Sequence, residues 1–108
     1  MYSAAVIGCG KIGSELSVDP FLKGDVFTHA EAYSRCEKTE LVALCDLDPE
    51  KLDAAARLWG TTALYPSVGQ LVAIEKLDLV SICTPTATHS EVLRAVLDCP
   101  NPPRAILC

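Results

Sequence analysis

The sequence predicts an α/β fold, in which a doubly wound parallel sheet of about five strands lies between two layers of helices in an α/β/α arrangement. Short apolar runs alternate along the chain with segments that carry helix start signals, in the order β-α-β-α-β-α-β-α-β. The runs are apolar throughout, as in strands of a parallel sheet that is covered on both faces. The length of 108 residues suits one domain of this kind.

Each of the first four predicted strands is a short apolar run that a glycine, a proline or a polar residue brings to an end. The fifth follows a proline-rich helix breaker and reaches the last residue of the sequence. The five predicted strands are residues 3–7, 40–45, 63–65, 79–83 and 104–108.

The helices between these strands are predicted from the residues that start and stop them. Residues 11–16 begin a first helix, and residues 17–27 are predicted to be an inserted loop because proline and glycine interrupt them. The remaining helices follow polar residues that suit the N-cap position, namely Thr28, Asp48, Ser67 and Thr88. Capping boxes are predicted where Glu or Gln stands three positions further on, at Glu31, Gln70 and Glu91. The buried stripe of the last helix is predicted to be Val92, Leu93, Val96 and Leu97.

Composition and charge exclude several classes of protein. The net charge of −5 and the absence of a Lys/Arg cluster argue against nucleic-acid binding. No apolar run approaches the roughly 18–20 residues of a membrane span, and no signal peptide is present at the start of the sequence. The six cysteines have neither C-x-x-C nor metal-ligand spacing. We therefore expect reduced thiols, no metal site and a cytoplasmic location.

Three glycines directly after the first predicted strand have the G-x-G-x-x-G spacing of a dinucleotide-binding turn. Gly8 permits the tight turn, Gly10 lets the backbone approach a pyrophosphate, and Gly13 allows close helix–strand packing. The N–H groups around Lys11 and Ile12 face the phosphates at the start of the helix. This pattern predicts a Rossmann-type fold, although a glycine-rich turn without a ligand stays an alternative.

A carboxylate at the end of the second predicted strand supports the dinucleotide interpretation. Asp46 stands where it accepts hydrogen bonds from the adenosine ribose hydroxyls. A 2′-phosphate would be repelled by Asp46, and Leu47 beside it provides no arginine to neutralise that phosphate. NAD is therefore favoured over NADP. The spacing from Gly8 exceeds the typical figure of about 20 residues, and the inserted residues 17–27 account for much of the excess. In the alternative interpretation, Asp46 is a turn residue only.

The end of the fourth predicted strand lies beside the first strand, at the switch point where doubly wound sheets bind ligands. Thr84 presents a hydroxyl or its backbone to a nucleotide there, and Pro85 stiffens the turn. His89 has two interpretations: it contacts cofactor or substrate, or the local backbone satisfies it at the start of a helix.

Three segments resemble the N-terminal half of the Gfo/Idh/MocA oxidoreductases, which include glucose–fructose oxidoreductase and inositol dehydrogenase. They are A-V-I-G-C-G-K-I-G, E-L-V-A-L-C-D-L-D-P-E-K-L and L-V-S-I-C-T-P-T-A-T-H-S-E-V. The resemblance covers nearly the whole chain, and the T-P-x-x-x-H-x-E element is its most specific part. It implies a Rossmann domain that binds NAD(P), with Gly8, Gly10, Gly13 and Asp46 at the cofactor positions.

The resemblance also implies parts that lie beyond this sequence. In the family, the fifth strand leads into an E-K-P motif with a catalytic lysine, and a second α/β domain supplies the substrate pocket. The sequence ends at Cys108, where that motif would be expected, so no catalytic residue is assigned. We expect residues 1–108 to be the cofactor-binding part of a longer dehydrogenase of a sugar or polyol, which self-associates as a homo-oligomer. The alternative is a stand-alone nucleotide-binding or redox-sensing module that acts through a protein partner, with Cys9 as its thiol.

Overall fold

A computed structural model describes residues 1–10, 13–15 and 28–108 of the chain. Its strands are β1 (Tyr2–Ile7), β2 (Thr39–Cys45), β3 (Ala63–Tyr65), β4 (Leu79–Ile82) and β5 (Ala105–Leu107). Its helices are α1 (His29–Arg35), α2 (Pro49–Trp59), α3 (Val68–Ile74) and α4 (His89–Leu97). The predicted inserted loop at residues 17–27 lies outside the described residues, as do residues 11, 12 and 16 of the predicted helix at residues 11–16.

Within the described ranges the strands form one parallel sheet in the order β3-β2-β1-β4-β5. The chain moves outward from β1 to β3 on one side and then returns to place β4 on the other side of β1. This reversal is the topological switch point of a doubly wound sheet. The predicted Rossmann-type fold is confirmed.

Alternate residues of each central strand pack into two separate cores, because successive side chains in a strand point to opposite faces. In β1, Ala5 and Ile7 belong to the core under α3 and α4, whereas Ala4 and Val6 belong to the core under α1 and α2. All four are at most 1% exposed. Burial on both faces explains why these runs are apolar throughout.

Three of the four predicted helix starts have the expected capping bond. The Thr28 hydroxyl accepts from the Glu31 N–H at 3.1 Å, and the Ser67 hydroxyl accepts from the Gln70 N–H at 3.3 Å. The Asp48 carboxylate accepts from the Glu50 N–H at 2.9 Å and thereby caps α2. At the other end of α2, Gly60 adopts a left-handed φ of 68°, as predicted for a C′ glycine.

The predicted capping box at Thr88 is wrong. A 3₁₀ turn at Thr86–Thr88 runs directly into α4, so Thr88 has helical dihedral angles rather than the extended ones of a capping residue. Its hydroxyl instead donates to the Pro85 carbonyl oxygen at 2.8 Å. The predicted buried stripe of α4 is right at Val96, which is fully buried, and wrong at Leu97, which is 52% exposed.

None of the helices in the described ranges has the length and apolar character that a membrane span requires.

Candidate cofactor site

A cavity of about 790 Å³ opens at the carboxyl ends of the strands, where β1 and β4 lie side by side. Six of the residues predicted to bind a cofactor line it: Gly8, Gly10, Asp46, Leu47, Thr84 and Pro85. Gly13 and His89 are not among the lining residues. Lys11 and Ile12 lie outside the described residues, so their predicted contacts stay predictions. The topology alone therefore brings together residues that are far apart in the sequence.

Two of the glycines have structural roles that no other residue could fill. Gly8 has a φ of +96°, and a Cβ there would lie 2.6 Å from the carbonyl carbon of Cys83. A Cβ on Gly13 would overlap the carbonyl oxygen of Gly8. The tight turn predicted at Gly8 is confirmed, and Gly13 lies in close contact with the main chain of Gly8, whereas the helix predicted to pack there lies partly outside the described residues.

Gly10 differs from its two neighbours in the motif. A Cβ built there would meet only the Lys51 ammonium, at 3.9 Å. No described backbone or core atom therefore requires glycine at this position. The backbone of Gly10 lines the cavity, so the missing side chain leaves room for a group inside it. This is the geometry expected where a pyrophosphate approaches the main chain.

The carboxylate of Asp46 is half-buried between two backbone N–H donors. Its Oδ2 accepts from the Cys9 N–H at 2.7 Å, and its Oδ1 accepts from the Asp48 N–H at 2.8 Å. Each oxygen keeps a further lone pair, because a carboxylate oxygen accepts more than one hydrogen bond. Asp46 is thus oriented at the rim of the cavity and able to accept from a diol.

Thr84 carries the one buried side-chain oxygen or nitrogen in the described part of the chain that has no hydrogen-bond partner. The atom is its Oγ1, and the residue lines the cavity. A hydroxyl buried without a partner is destabilising, and such an atom in a cavity wall is often explained by a missing ligand or water. This observation fits a polar ligand group at the end of β4.

His89 supports the shape of this wall rather than facing the cavity. Its Nε2 lies 2.7 Å from the carbonyl oxygen of Thr84. Because a carbonyl oxygen only accepts, Nε2 must carry a proton and donate it. Of the two interpretations offered for His89, the structure therefore shows the bond to local backbone.

Sequence reasoning missed several lining residues on the helices, above all Lys51. Lys51 lies in the first turn of α2, and the first turns of helices that follow parallel strands face the switch-point crevice. That position was the signal that could have identified it. The charged side chains along the cavity are those of Asp46, Asp48, Lys51 and Glu91. Lys51 is the single cation among these described lining residues, so an anion entering the cavity would meet it near Gly10.

Cys9 sits inside the glycine loop but is not a reactive thiol. The residue is 1% exposed, and burial, followed by the nearby Asp46, raises the pKa of its thiol to about 12. A thiol of this kind is almost wholly protonated at neutral pH and therefore a weak nucleophile. All six cysteines are free. Nothing in the environment of Cys9 favours the redox-sensing alternative.

The residues present fit a nicotinamide dinucleotide. The open main chain at Gly10, the oriented carboxylate of Asp46 and the unpartnered hydroxyl of Thr84 lie along one cavity. These are the three kinds of group that a pyrophosphate, a ribose diol and a further ribose or carboxamide require. Leu47 adds an apolar side chain, 85% exposed at the rim.

Relatives of the chain carry the same type of domain. D-apiose dehydrogenase from Paraburkholderia graminis is 30% identical over 92 residues, which are 85% of this chain and 21% of that enzyme. Myo-inositol 2-dehydrogenase from Lactobacillus plantarum superposes with a TM-score of 0.71 at 26% identity, over 90% of this chain and 25% of its own. The WlbA dehydrogenase from Chromobacterium violaceum, solved with NADH and UDP-GlcNAcA, has a TM-score of 0.66 at 26% identity, over 84% and 23%.

The chain thus spans about a fifth to a quarter of the length of these relatives. Its residues 2–101 match the profile of the GFO_IDH_MocA family, described as an oxidoreductase family with an NAD-binding Rossmann fold. With the parallel sheet and the glycine turn in place, the chain belongs to the Gfo/Idh/MocA oxidoreductases, as their NAD-binding Rossmann domain.

Proposed function

We propose that this domain binds NAD at the carboxyl edge of its sheet and is the cofactor-binding part of a dehydrogenase of a sugar or polyol. The observation that carries the cofactor assignment is the open main chain at Gly10 beside the oriented carboxylate of Asp46. Support for the substrate class comes from relatives named for apiose and inositol. When bound, NAD supplies a hydride acceptor at nicotinamide C4.

Five of the lining residues have a proposed task in holding the dinucleotide. The main chain at Gly10 receives the pyrophosphate, and Lys51 supplies a positive charge next to it. Asp46 accepts from the adenosine ribose diol, while Leu47 covers the adenine side with apolar surface. The hydroxyl of Thr84 donates to a polar group further along the cofactor. Lys11 and Ile12 contribute N–H groups to the phosphates in the same proposal.

We propose a preference for NAD over NADP on electrostatic grounds. The 2′-phosphate of NADP would enter next to Asp46, and Asp48 adds a second carboxylate two residues further on. Desolvated like charges at this range repel each other. Lys51 offsets part of this repulsion, but its ammonium lies close to Gly10, on the pyrophosphate side.

The proposal extends to the surroundings of the protein. Six free thiols support a reducing compartment and hence a cytoplasmic location.

The edge of β5, where Leu107 is 46% exposed, is the proposed surface for self-association.

Calorimetric titration with NAD tests the cofactor assignment directly, and the fluorescence of Trp59 gives a second readout. The Trp59 indole N–H donates to the Ser14 hydroxyl at 2.9 Å, and the Ser14 N–H donates to the Gly10 carbonyl oxygen at 2.9 Å. Emission should therefore change when a ligand settles on the loop. Absence of heat and of any emission change up to millimolar NAD would reject the assignment.

Substitution of Gly10→Ala separates binding from folding. Among the described residues outside its chain neighbours, the added methyl group contacts only the end of the flexible Lys51 side chain, so the free energy of unfolding should stay within about 0.5 kcal/mol of the original. NAD affinity should fall at least about tenfold because the methyl group occupies the space of the pyrophosphate, a loss of about 1.4 kcal/mol. Gly69→Ala, an exposed change in α3 with open space around it, is the matched control and should bind NAD normally.

A further inference from the structure

Asp46 joins three parts of the structure before any ligand is present, two through its carboxylate and one through its main-chain N–H. Through Oδ2 it holds the Cys9 N–H in the glycine loop, and through Oδ1 it holds the Asp48 N–H at the start of α2. Its own N–H donates to the Tyr65 carbonyl oxygen at 3.2 Å, at the end of β3. We propose that Asp46 is a positioning residue for the glycine loop, in addition to the ribose contact assigned in the proposed function, on which this inference rests.

A hydrogen bond from the Cys9 N–H to the Asp46 carboxylate ties the glycine loop to the end of β2 beyond the strand ladder, beside a longer contact of 3.6 Å from the Cys9 thiol to the Cys45 carbonyl oxygen. The preceding N–H, that of Gly8, donates to the Cys45 carbonyl oxygen at 2.8 Å and continues the ladder. One residue later the partner is no longer a main-chain carbonyl but the charged Asp46 oxygen, at 2.7 Å. Charge-assisted bonds of this length are stronger than neutral ones. The side chain of Asp46 therefore acts as the last rung between β1 and β2.

This rung determines where the next residue of the loop lies. Gly10 follows Cys9 directly, and its main chain borders the cavity. A loop already held in its binding conformation loses less conformational entropy when a pyrophosphate arrives. Asp46 thus has two effects on the nucleotide. It contacts the ribose directly, and it positions the loop for the pyrophosphate indirectly, through Cys9. The same carboxylate therefore serves both the ribose end and the pyrophosphate end of the nucleotide site.

The substitution Asp46→Asn removes one of the two acceptor oxygens and keeps the shape of the side chain. The amide can accept from Cys9 or from Asp48, but its NH₂ group must then face the other N–H as a second donor. Either way the charge-assisted pair is lost. Asp53→Asn, an exposed change in α2, is the matched control because Asp53 does not line the cavity.

The experiment pairs this substitution with a matched change in the ligand. ADP and 2′,3′-dideoxy-ADP share the pyrophosphate, but the second lacks both hydroxyls that Asp46 would contact. We expect Asp46→Asn to lower the affinity for dideoxy-ADP about tenfold, which is about 1.4 kcal/mol, and to lower the affinity for ADP by more than that. An unchanged affinity for dideoxy-ADP, with weakened ADP, would overturn the positioning role and leave the ribose contact standing. If the original protein binds neither nucleotide, the proposed function fails, and the inference fails with it.

A measurement on the unsubstituted protein covers the case in which Asp46→Asn does not fold. In the ligand-free domain, nuclear magnetic resonance should show scalar couplings across the hydrogen bonds from the amide nitrogens of Cys9 and Asp48 to the side-chain carboxyl carbon of Asp46. A coupling from Asp48 alone would show that Cys9 does not donate to Asp46, and the inference would be withdrawn.

Discussion

The two walls of the cavity are built in different ways. The first wall, formed by the glycine loop and the end of β2, depends mainly on close main-chain contacts at Gly8, and the Asp46 side chain adds a bond to the Cys9 N–H. The second wall, formed by the turn after β4 and the start of α4, is held by side chains, with His89 bonded to the Thr84 carbonyl and Thr88 bonded to the Pro85 carbonyl. It also contains the unpartnered Thr84 hydroxyl.

This difference indicates where folding and binding can be separated by mutation. In the first wall, a side chain at Gly8 cannot be accommodated because the neighbouring atoms belong to the backbone of Cys83 and Thr84, directly after β4. In the second wall, side chains can be shortened or exchanged without moving the strands. We therefore expect stability effects to dominate at Gly8, and smaller effects, some of opposite sign, in the second wall.

The largest effect is expected for Gly8→Ala. The new Cβ would lie within 2.6–2.8 Å of the Cys83 carbonyl group and the Thr84 nitrogen, and alanine is strained at a φ of +96°. Strain and overlap together should lower the free energy of unfolding by at least about 3 kcal/mol. Urea denaturation followed by circular dichroism measures this loss.

Gly60→Ala is the control that isolates the conformational part of that loss. Gly60 has a φ of +68°, but no atom lies within 4 Å of a Cβ placed there. Its substitution should cost only the left-handed penalty of about 1–2 kcal/mol. Equal losses at the two positions would show that contact with the backbone of Cys83 and Thr84 is not what requires glycine at Gly8.

The fold could be predicted from the sequence because the signals that set it are local. Periodicity and turn residues located all five strands, and the capping residues Thr28, Asp48 and Ser67 located three helices. Thr88 misled the prediction because a capping box and a 3₁₀ turn that continues into a helix share the same residue pattern, and only the backbone angles distinguish them.

The site could be predicted only in part, for a different physical reason. Gly8, Gly10, Asp46 and Thr84 stand next to strand ends, so the sheet topology places them in the cavity. Lys51 reaches the cavity from a helix, and its position in the first turn of α2 is the only signal that distinguishes it from a solvated lysine. The second bond of Asp46, to Cys9, depends on a pairing across 37 residues that no local signal encodes.

A smaller effect is expected in the second wall for His89→Ala. The change removes the donor to the Thr84 carbonyl oxygen, and a lost hydrogen bond of this kind costs about 1–1.5 kcal/mol. NAD affinity should change little, since His89 does not line the cavity. Thr88→Ala removes the companion bond in an exposed setting, so urea denaturation should show a smaller loss there. A large loss of NAD affinity in His89→Ala at unchanged stability would instead support the cofactor contact.

The smallest effect on stability, and one of opposite sign, is expected for Thr84→Val. The substitution keeps the shape of the side chain and replaces a buried hydroxyl that has no partner in the described structure. Removal of an unsatisfied polar group should leave the free energy of unfolding unchanged or raise it by up to about 1 kcal/mol. Thr86→Val, an exposed change in the same turn, should stay within about 0.5 kcal/mol.

The same substitution should act on binding in the opposite direction. If the Thr84 hydroxyl donates to the bound dinucleotide, Thr84→Val should lower the affinity for NAD about fivefold to tenfold, as expected for one lost hydrogen bond. A variant that is more stable and yet binds NAD less tightly would show that the Thr84 hydroxyl stabilises the bound ligand and destabilises the ligand-free protein. A variant with gained stability and unchanged NAD affinity would remove Thr84 from the site, and the contrast between the two walls would then be one of construction only.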